Sequence, residues 1–209
     1  MSKVTWRPGN MLYPLPAVLV TSKNAAGEED VCTVAWAGTV CSDPVMVSIS
    51  LRPSRRSYDF IHESGVFVIN VTTETLVHAT DFCGVRSGRD VDKFAAEKLE
   101  KEPAEKVDCP MLAAAPVNLE CRVVSETALG SHVMFVAEVL AVHVDATFLD
   151  EKGRFDFAAC RPLVYCHGEY RAIGKKLGSF GYSVRKKGKG PNKAAVKAKR
   201  GNERKEKRV

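Results

Sequence analysis

Apolar and polar residues alternate along much of the chain with the two-residue period of β-strands. The clearest case is 45–51, VMVSISL, where every second residue is apolar and would lie on one face. Similar runs predict further strands at 17–22, 31–40, 66–71, 117–125, 132–144 and 163–165. The stretch 132–144 is nearly all apolar, which suits a buried central strand.

Helical spacing occurs only in short stretches. Segment 57–63 has this spacing, with Ser54 or Ser57 as a candidate N-cap and Gly65 as a plausible end. Further predictions are a helix at 74–82, a loop and short helix at 87–94 capped by Asp90, and an exposed excursion at 97–107. Six or more strands with few helices indicate a mainly β fold, an antiparallel β-barrel with short inserted helices. The alternative, a doubly wound parallel sheet, needs a regular strand–helix alternation that is missing.

Charge divides the chain of 209 residues into two parts. Residues 185–209 contain twelve Lys or Arg and two Glu, a net charge of +10, whereas residues 1–184 carry −4. The tail has almost no large apolar residue, so we expect disorder or a weak helix there. The sequence therefore predicts one domain at 1–184 and a basic C-terminal tail at 185–209.

The remaining composition predicts a cytoplasmic protein without a metal site. No apolar run is long enough to cross a membrane, and the first ten residues lack a signal-peptide pattern. The seven cysteines are odd in number and include no C-x-x-C pair, which favours buried reduced thiols over disulfides or zinc ligation. The motifs of P-loop ATPases, dinucleotide folds, serine hydrolases and zincins are absent.

The strand 45–51 runs into a basic, hydroxyl-rich turn. Segment 48–57, SISLRPSRRS, places three arginines and several hydroxyls just before a predicted helix N-terminus. Guanidinium groups, hydroxyls and unpaired helix N–H groups are the donors that a phosphate needs. The alternative is a solvated basic turn with a serine cap.

Two further segments could contact a ligand. Segment 81–94 combines two glycines, a thiol and clustered charges, so its backbone could approach a planar ligand closely; an ordinary loop before a capped helix is the alternative. His132 follows Leu-Gly-Ser at the start of the long strand. It is either a structural histidine or a group that reaches a ligand at the barrel mouth.

Together, these segments resemble the flavoredoxin branch of the flavin reductase-like proteins, which are FMN-binding split barrels. The resemblance spans about residues 10–182, and the run Cys-Gly-Val-x-Ser-Gly-Arg-Asp-Val-Asp-Lys-Phe at 83–94 is its most specific part. The other segments that carry it are 33–36, 47–53, 57–58, 67–70, 119–121 and 129–132.

The resemblance implies a split barrel of Greek-key type that forms a homodimer with one FMN per subunit and needs no catalytic side chain. The residues that would line the isoalloxazine are Thr33, Val34, Ala35 and Trp36. Those that would hold the phosphate and ribityl chain are Ser50, Arg52, Ser54, Arg55 and Ser57. Cys83, Lys93 and His132 would complete the pocket, with Tyr165 as a stacking candidate.

Three functions remain open at this point. The first is an FMN-dependent reductase that uses NAD(P)H, and the second is a flavoredoxin-type electron carrier whose partner is another redox protein. The third is nucleic-acid binding through the tail. The tail has no aromatic residue for base stacking, so this third function is disfavoured.

Overall fold

The computed structural model describes residues 2–185, and strands dominate this part of the chain. The strands are β1 (Leu15–Pro16), β2 (Val18–Lys23), β3 (Glu29–Val34), β4 (Ala37–Ser42), β5 (Val45–Leu51), β6 (Val66–Val71), β7 (Lys101–Pro103), β8 (Pro110–Leu112), β9 (Val117–Ala128), β10 (Val133–Val144), β11 (Leu163–Cys166) and β12 (Glu169–Ala172). The α-helices are α1 (Arg56–Ser64), α2 (Val77–Val85) and α3 (Lys93–Ala96), and 3₁₀ turns lie at Glu74–Leu76, Ala146–Phe148 and Tyr182–Val184.

The main sheet has seven strands in the order β3-β2-β6-β9-β10-β5-β4, and each neighbouring pair is antiparallel. This confirms the mainly β fold and excludes the parallel alternative. The two edge strands, β3 and β4, are consecutive in the chain and are joined by only Ala35 and Trp36. Because so short a link cannot cross a flat seven-stranded sheet, the sheet curls until its edges meet.

Two hydrophobic cores lie on opposite faces of this sheet. The inner one collects alternate residues of the curled strands, among them Val18, Val20 and Phe135. The outer one packs α2 and α3 against β2 and β3 through Leu19, Val31 and other apolar residues. Strand β2 is therefore buried on both faces, which fits its apolar first half, Val18–Val20, and the complete burial of Thr21 and Ser22 after it.

The structure corrects two of the strand predictions. The predicted strand 31–40 is interrupted at Ala35 and Trp36, where the chain passes from one edge of the sheet to the other. The long strand β10 is central, between β9 and β5, but it is buried only near its start. Its second half is partly exposed, including Val142 and Val144, because no layer of the described structure covers it.

The predicted helix caps also differ from those observed. Helix α1 ends at Gly65 as predicted, with φ of 69° and its N–H bonded to the Ile61 carbonyl. Its start has no side-chain cap, because Ser57 is hydrogen-bonded to Asp30 instead. Asp92, and not Asp90, caps α3 by accepting a hydrogen bond from the backbone N–H of residue 95. The excursion 97–107 is mostly exposed but contains β7, which pairs with β8.

The chain divides into a compact unit that ends at Ile173 and a second segment that begins at Gly174. The described part of the second segment contains one 3₁₀ turn. The predicted boundary at residue 184 stays a prediction, and the basic tail from residue 186 onward lies outside the described residues. Within residues 2–185, the helices are all too short or too polar to span a bilayer.

A buried carboxylate fixes the loop before β8. The side chain of Glu120, on β9, is completely buried and accepts hydrogen bonds from the backbone N–H groups of residues 105–107. His143 on β10 also approaches it, with Nε2 2.6 Å from Oε1. Burial alone raises the pKa of Glu120, but these hydrogen bonds outweigh it and lower the pKa overall.

We predict that Glu120→Gln lowers the free energy of unfolding at pH 7 by about 1.5–3 kcal/mol, because charge-assisted hydrogen bonds are lost. A carboxyl whose pKa is lower in the folded state stabilises the fold above its unfolded pKa, and this contribution disappears as the pH falls. The difference between wild type and variant should therefore shrink below pH 4.5, the ordinary pKa of the group. Urea denaturation of both proteins between pH 7 and a pH below 4.5 measures this difference in the free energy of unfolding. Glu102→Gln, at an exposed position, is the control, and an equal loss in both variants would contradict the role of Glu120.

Candidate functional site

A cleft of about 600 Å³ opens where the two edges of the main sheet meet. Its walls come from the β3–β4 link, the end of β5 and the turn after it, α2, the start of β10 and the β11–β12 hairpin. Nine of the thirteen predicted site residues line it: Thr33, Val34, Ala35, Trp36, Ser50, Arg52, Arg55, His132 and Tyr165.

The β3–β4 link forms one wall and is held from both sides. The backbone N–H of Ser50 donates to the Trp36 carbonyl over 2.8 Å, which joins β5 to the link. The Thr33 hydroxyl donates to the backbone carbonyl of Thr80 in α2. Gly84 approaches Thr33 so closely that a Cβ at position 84 would lie 3.3 Å from the Thr33 Cβ. A glycine here therefore lets α2 pack closely against β3.

The turn after β5 gives the cleft a positive end. Arg55 donates from Nη2 to the Gly84 carbonyl over 2.6 Å, which aligns its guanidinium along the cleft. No carboxylate among residues 2–185 forms an ion pair with Arg52 or Arg55, whereas Arg56 pairs with Glu28 outside the cleft. Two arginines without a protein anion at one end of a cleft indicate an anion site.

The other walls of the cleft are aromatic. Trp36 stacks on His132 with ring centroids 6.3 Å apart and an interplanar angle of 16°. Tyr165 lies 6.3 Å from Trp36 and 5.8 Å from Tyr170, centroid to centroid. Burial, and then the positive charge of Arg52, lower the pKa of His132 below 6.5, so its imidazole is neutral at pH 7.

The structure places four predicted site residues away from the cleft lining. Ser54 is exposed on the turn. Ser57 and Lys93 are buried and both bind Asp30: the Ser57 hydroxyl donates to Oδ2, and Lys93 Nζ lies 2.9 Å from Oδ1. The 83–94 run therefore contributes Lys93 to a buried ion pair, and it also contributes residues to one wall of the cleft.

Cys83 is the fourth of these residues, and its side chain is buried in the outer core. Burial raises the pKa of its thiol to about 12, although the nearby charge of Lys93 acts in the opposite direction. The thiol is therefore protonated at neutral pH, which makes it a poor nucleophile.

Asp81, Gly84, Val85 and Ser131 also line the cleft, and they belong to the segments 81–94 and 129–132 that the sequence indicated as possible ligand contacts. Gly168 and Tyr170 escaped the sequence analysis. Tyr170 lies directly opposite Tyr165 in the β11–β12 hairpin. A signal for it existed, because His167-Gly168 between two short runs is typical of a two-residue hairpin turn, and both residues have positive φ.

A curled antiparallel sheet with this cleft defines a split β-barrel suited to a planar ligand that carries an anionic group. A family model described as "Flavin reductase like domain" matches residues 10–174. The chain therefore belongs to the flavin reductase-like family.

Relatives and solved structures agree with this assignment. An uncharacterized protein of Archaeoglobus fulgidus is 33% identical over 141 residues, which cover 68% of this chain and 78% of that protein. The FMN reductase (NADH) RutF of Variovorax paradoxus is 25% identical, covering 74% and 77%. The structure of flavoredoxin from Desulfovibrio vulgaris (Miyazaki F) matches with a TM-score of 0.82 and 29% identity, covering 88% of this chain and 100% of that one.

We predict that Lys93→Met lowers the free energy of unfolding by about 3–5 kcal/mol, because it leaves the buried Asp30 carboxylate without a counter-charge. Chemical denaturation measures the change. Lys101→Met is a matched control, since Lys101 pairs with Glu29 at a more exposed position and should cost less than about 1 kcal/mol. Similar losses in both variants would show that the buried pair has no special structural role.

Proposed function

We propose that this chain is a flavoprotein that holds one FMN in the cleft and transfers electrons through it. The observation that carries the proposal is the pair Arg52 and Arg55, two cleft-lining guanidiniums without carboxylate partners among the described residues. A phosphate is the anion that their planar donors fit, and the hydroxyl of Ser50 lies beside them in the same wall.

The rest of the cleft fits a flat ring. Trp36 and Tyr165, which both line the cleft, provide apolar faces for it. When bound, FMN supplies the reversible electron and hydride transfer chemistry. The residues of the chain bind and orient it: the arginines hold the phosphate end, and the aromatic walls exclude water from the ring. Neutral His132, beside Ser131, offers a hydrogen-bonding group without a full charge.

We propose NAD(P)H as the electron donor. Two relatives support this, the FMN reductase (NADH) RutF of Variovorax paradoxus and the NADH-dependent FMN reductase AsuE2 of Streptomyces nodosus. The alternative is an electron carrier without NAD(P)H activity, which is supported by the likeness to two flavoredoxins, from Desulfovibrio vulgaris and Methanosarcina acetivorans.

We further propose a cytoplasmic homodimer. Val142 and Val144, which are exposed near the end of β10, offer an apolar surface for a second copy. The seven free cysteines suit a reducing compartment. Nucleic-acid binding through the basic tail remains the disfavoured alternative.

We predict that Arg52→Gln weakens FMN binding about 10- to 100-fold, because it removes a charge-assisted contact to the phosphate. Riboflavin, which lacks the phosphate, should bind wild type and variant alike. Titration of flavin fluorescence measures both affinities. Arg89→Gln is the control, since Arg89 pairs with Asp59 outside the cleft. An Arg52 variant with unchanged FMN affinity would rule out a phosphate site at this end.

Anaerobic mixing of the FMN-loaded protein with NADH or NADPH separates the reductase from the electron carrier. We expect the visible absorbance of the bound flavin to bleach after NADH is added, because hydride transfer reduces the cofactor. Persistence of this absorbance with both nucleotides, together with full bleaching by dithionite, would instead support the carrier function.

A further inference from the structure

The β11–β12 hairpin brings two tyrosines to one wall of the cleft. Tyr165 and Tyr170 are cross-strand partners, so their rings lie on the same face of the hairpin, 5.8 Å apart in an edge-to-face arrangement. Strand β1 pairs with β11 on its other side, and Tyr13 packs edge-on against Tyr165 at 5.9 Å. Tyr165 and Tyr170 together form the tyrosine wall, which the pairing of β1 with β11 and the packing of Tyr13 support.

The charge near the tyrosine wall is negative, whereas the end of the cleft formed by Arg52 and Arg55 is positive. The exposed carboxylate of Asp81, on α2, lines the same cleft. Burial, and then the charge of Asp81, raise the pKa of Tyr170 to about 12, so its phenol is uncharged at neutral pH. Of the two cleft-lining cations, Arg52 lies on the turn after β5, and Arg55 contacts α2 through the hydrogen bond from its Nη2 to the Gly84 carbonyl. Asp81 is the cleft-lining residue with a charge that α2 and the hairpin themselves contribute, so an anionic ring placed against the hairpin would meet an acidic group there.

We propose that the tyrosine wall together with Asp81 forms a specificity-determining subsite for a planar, uncharged aromatic or quinonoid ring, the co-substrate that exchanges electrons with the cofactor. This inference rests on the proposed function. The tyrosine faces favour a flat ring through stacking and edge contacts. Asp81 selects against carboxylate- or sulfonate-bearing rings through charge repulsion.

Two unreactive probes of similar shape test the subsite: benzamide, which is neutral, and benzoate, which is anionic. Their dissociation constants can be measured by saturation-transfer NMR on the full chain, with and without FMN. We expect benzamide to bind the FMN-loaded protein about 5-fold more tightly than benzoate, the factor that one unscreened carboxylate a few ångströms away supplies. Tyr170→Leu should weaken benzamide about 5-fold, and Tyr170→Phe, which keeps the ring, should not.

Asp81→Asn should bring the two affinities together by strengthening benzoate, whereas Glu151→Gln, at an exposed position outside the cleft lining, should leave the ratio unchanged. Equal binding of the two probes to wild type, an unchanged ratio in the Asp81 variant, or unchanged benzamide binding in Tyr170→Leu would overturn the inference. Benzamide binding that FMN abolishes would also overturn it, because the cofactor itself would then cover the wall. Failure of FMN to bind at all would instead refute the proposed function, and the measurements without FMN would still report on the subsite.

Discussion

The architecture depends on one topological constraint: the two edge strands of the main sheet are consecutive in the chain and are joined by two residues. Ala35 and Trp36 can link β3 to β4 only if the seven-stranded sheet curls until its edges meet. The bond from Ser50 N–H to the Trp36 carbonyl fixes this meeting point. Because the barrel closes through a link and not through a continuous ladder, it leaves an opening, and this opening is the cleft.

A buried ion pair holds together the elements that surround the cleft. Asp30 of β3 holds Lys93 of α3 and Ser57 of α1, so one carboxylate connects three elements around the cleft. Gly88 passes directly over it, where a Cβ would lie 2.0 Å from Oδ1. Since α1 begins one residue after Arg55, anchoring the first turn of this helix also fixes the arginine that points into the cleft. The positive end of the site therefore depends on a cluster that does not itself contact the cleft.

Local patterns predicted the strands well, because a period of two in 45–51 or a β-branched run in 66–71 needs no information about distant residues. The basic turn after β5 could also be predicted, since its residues are contiguous in the sequence. The missing side-chain cap of α1 and the role of Lys93 could not be predicted, because both depend on Asp30, which is far from Ser57 and Lys93 in sequence. Tyr170 was missed for a similar reason: it contributes to the cleft only because a tight turn pairs it with Tyr165.

The central claim is that the opening between β3 and β4 holds FMN through the arginines of the turn after β5. The visible absorption spectrum of the purified full chain, recorded after incubation with FMN and removal of free flavin, tests it most directly. The account predicts a yellow protein with about one FMN retained per chain, as expected for a preformed cofactor site. A colourless chain that releases all of the added FMN would contradict it.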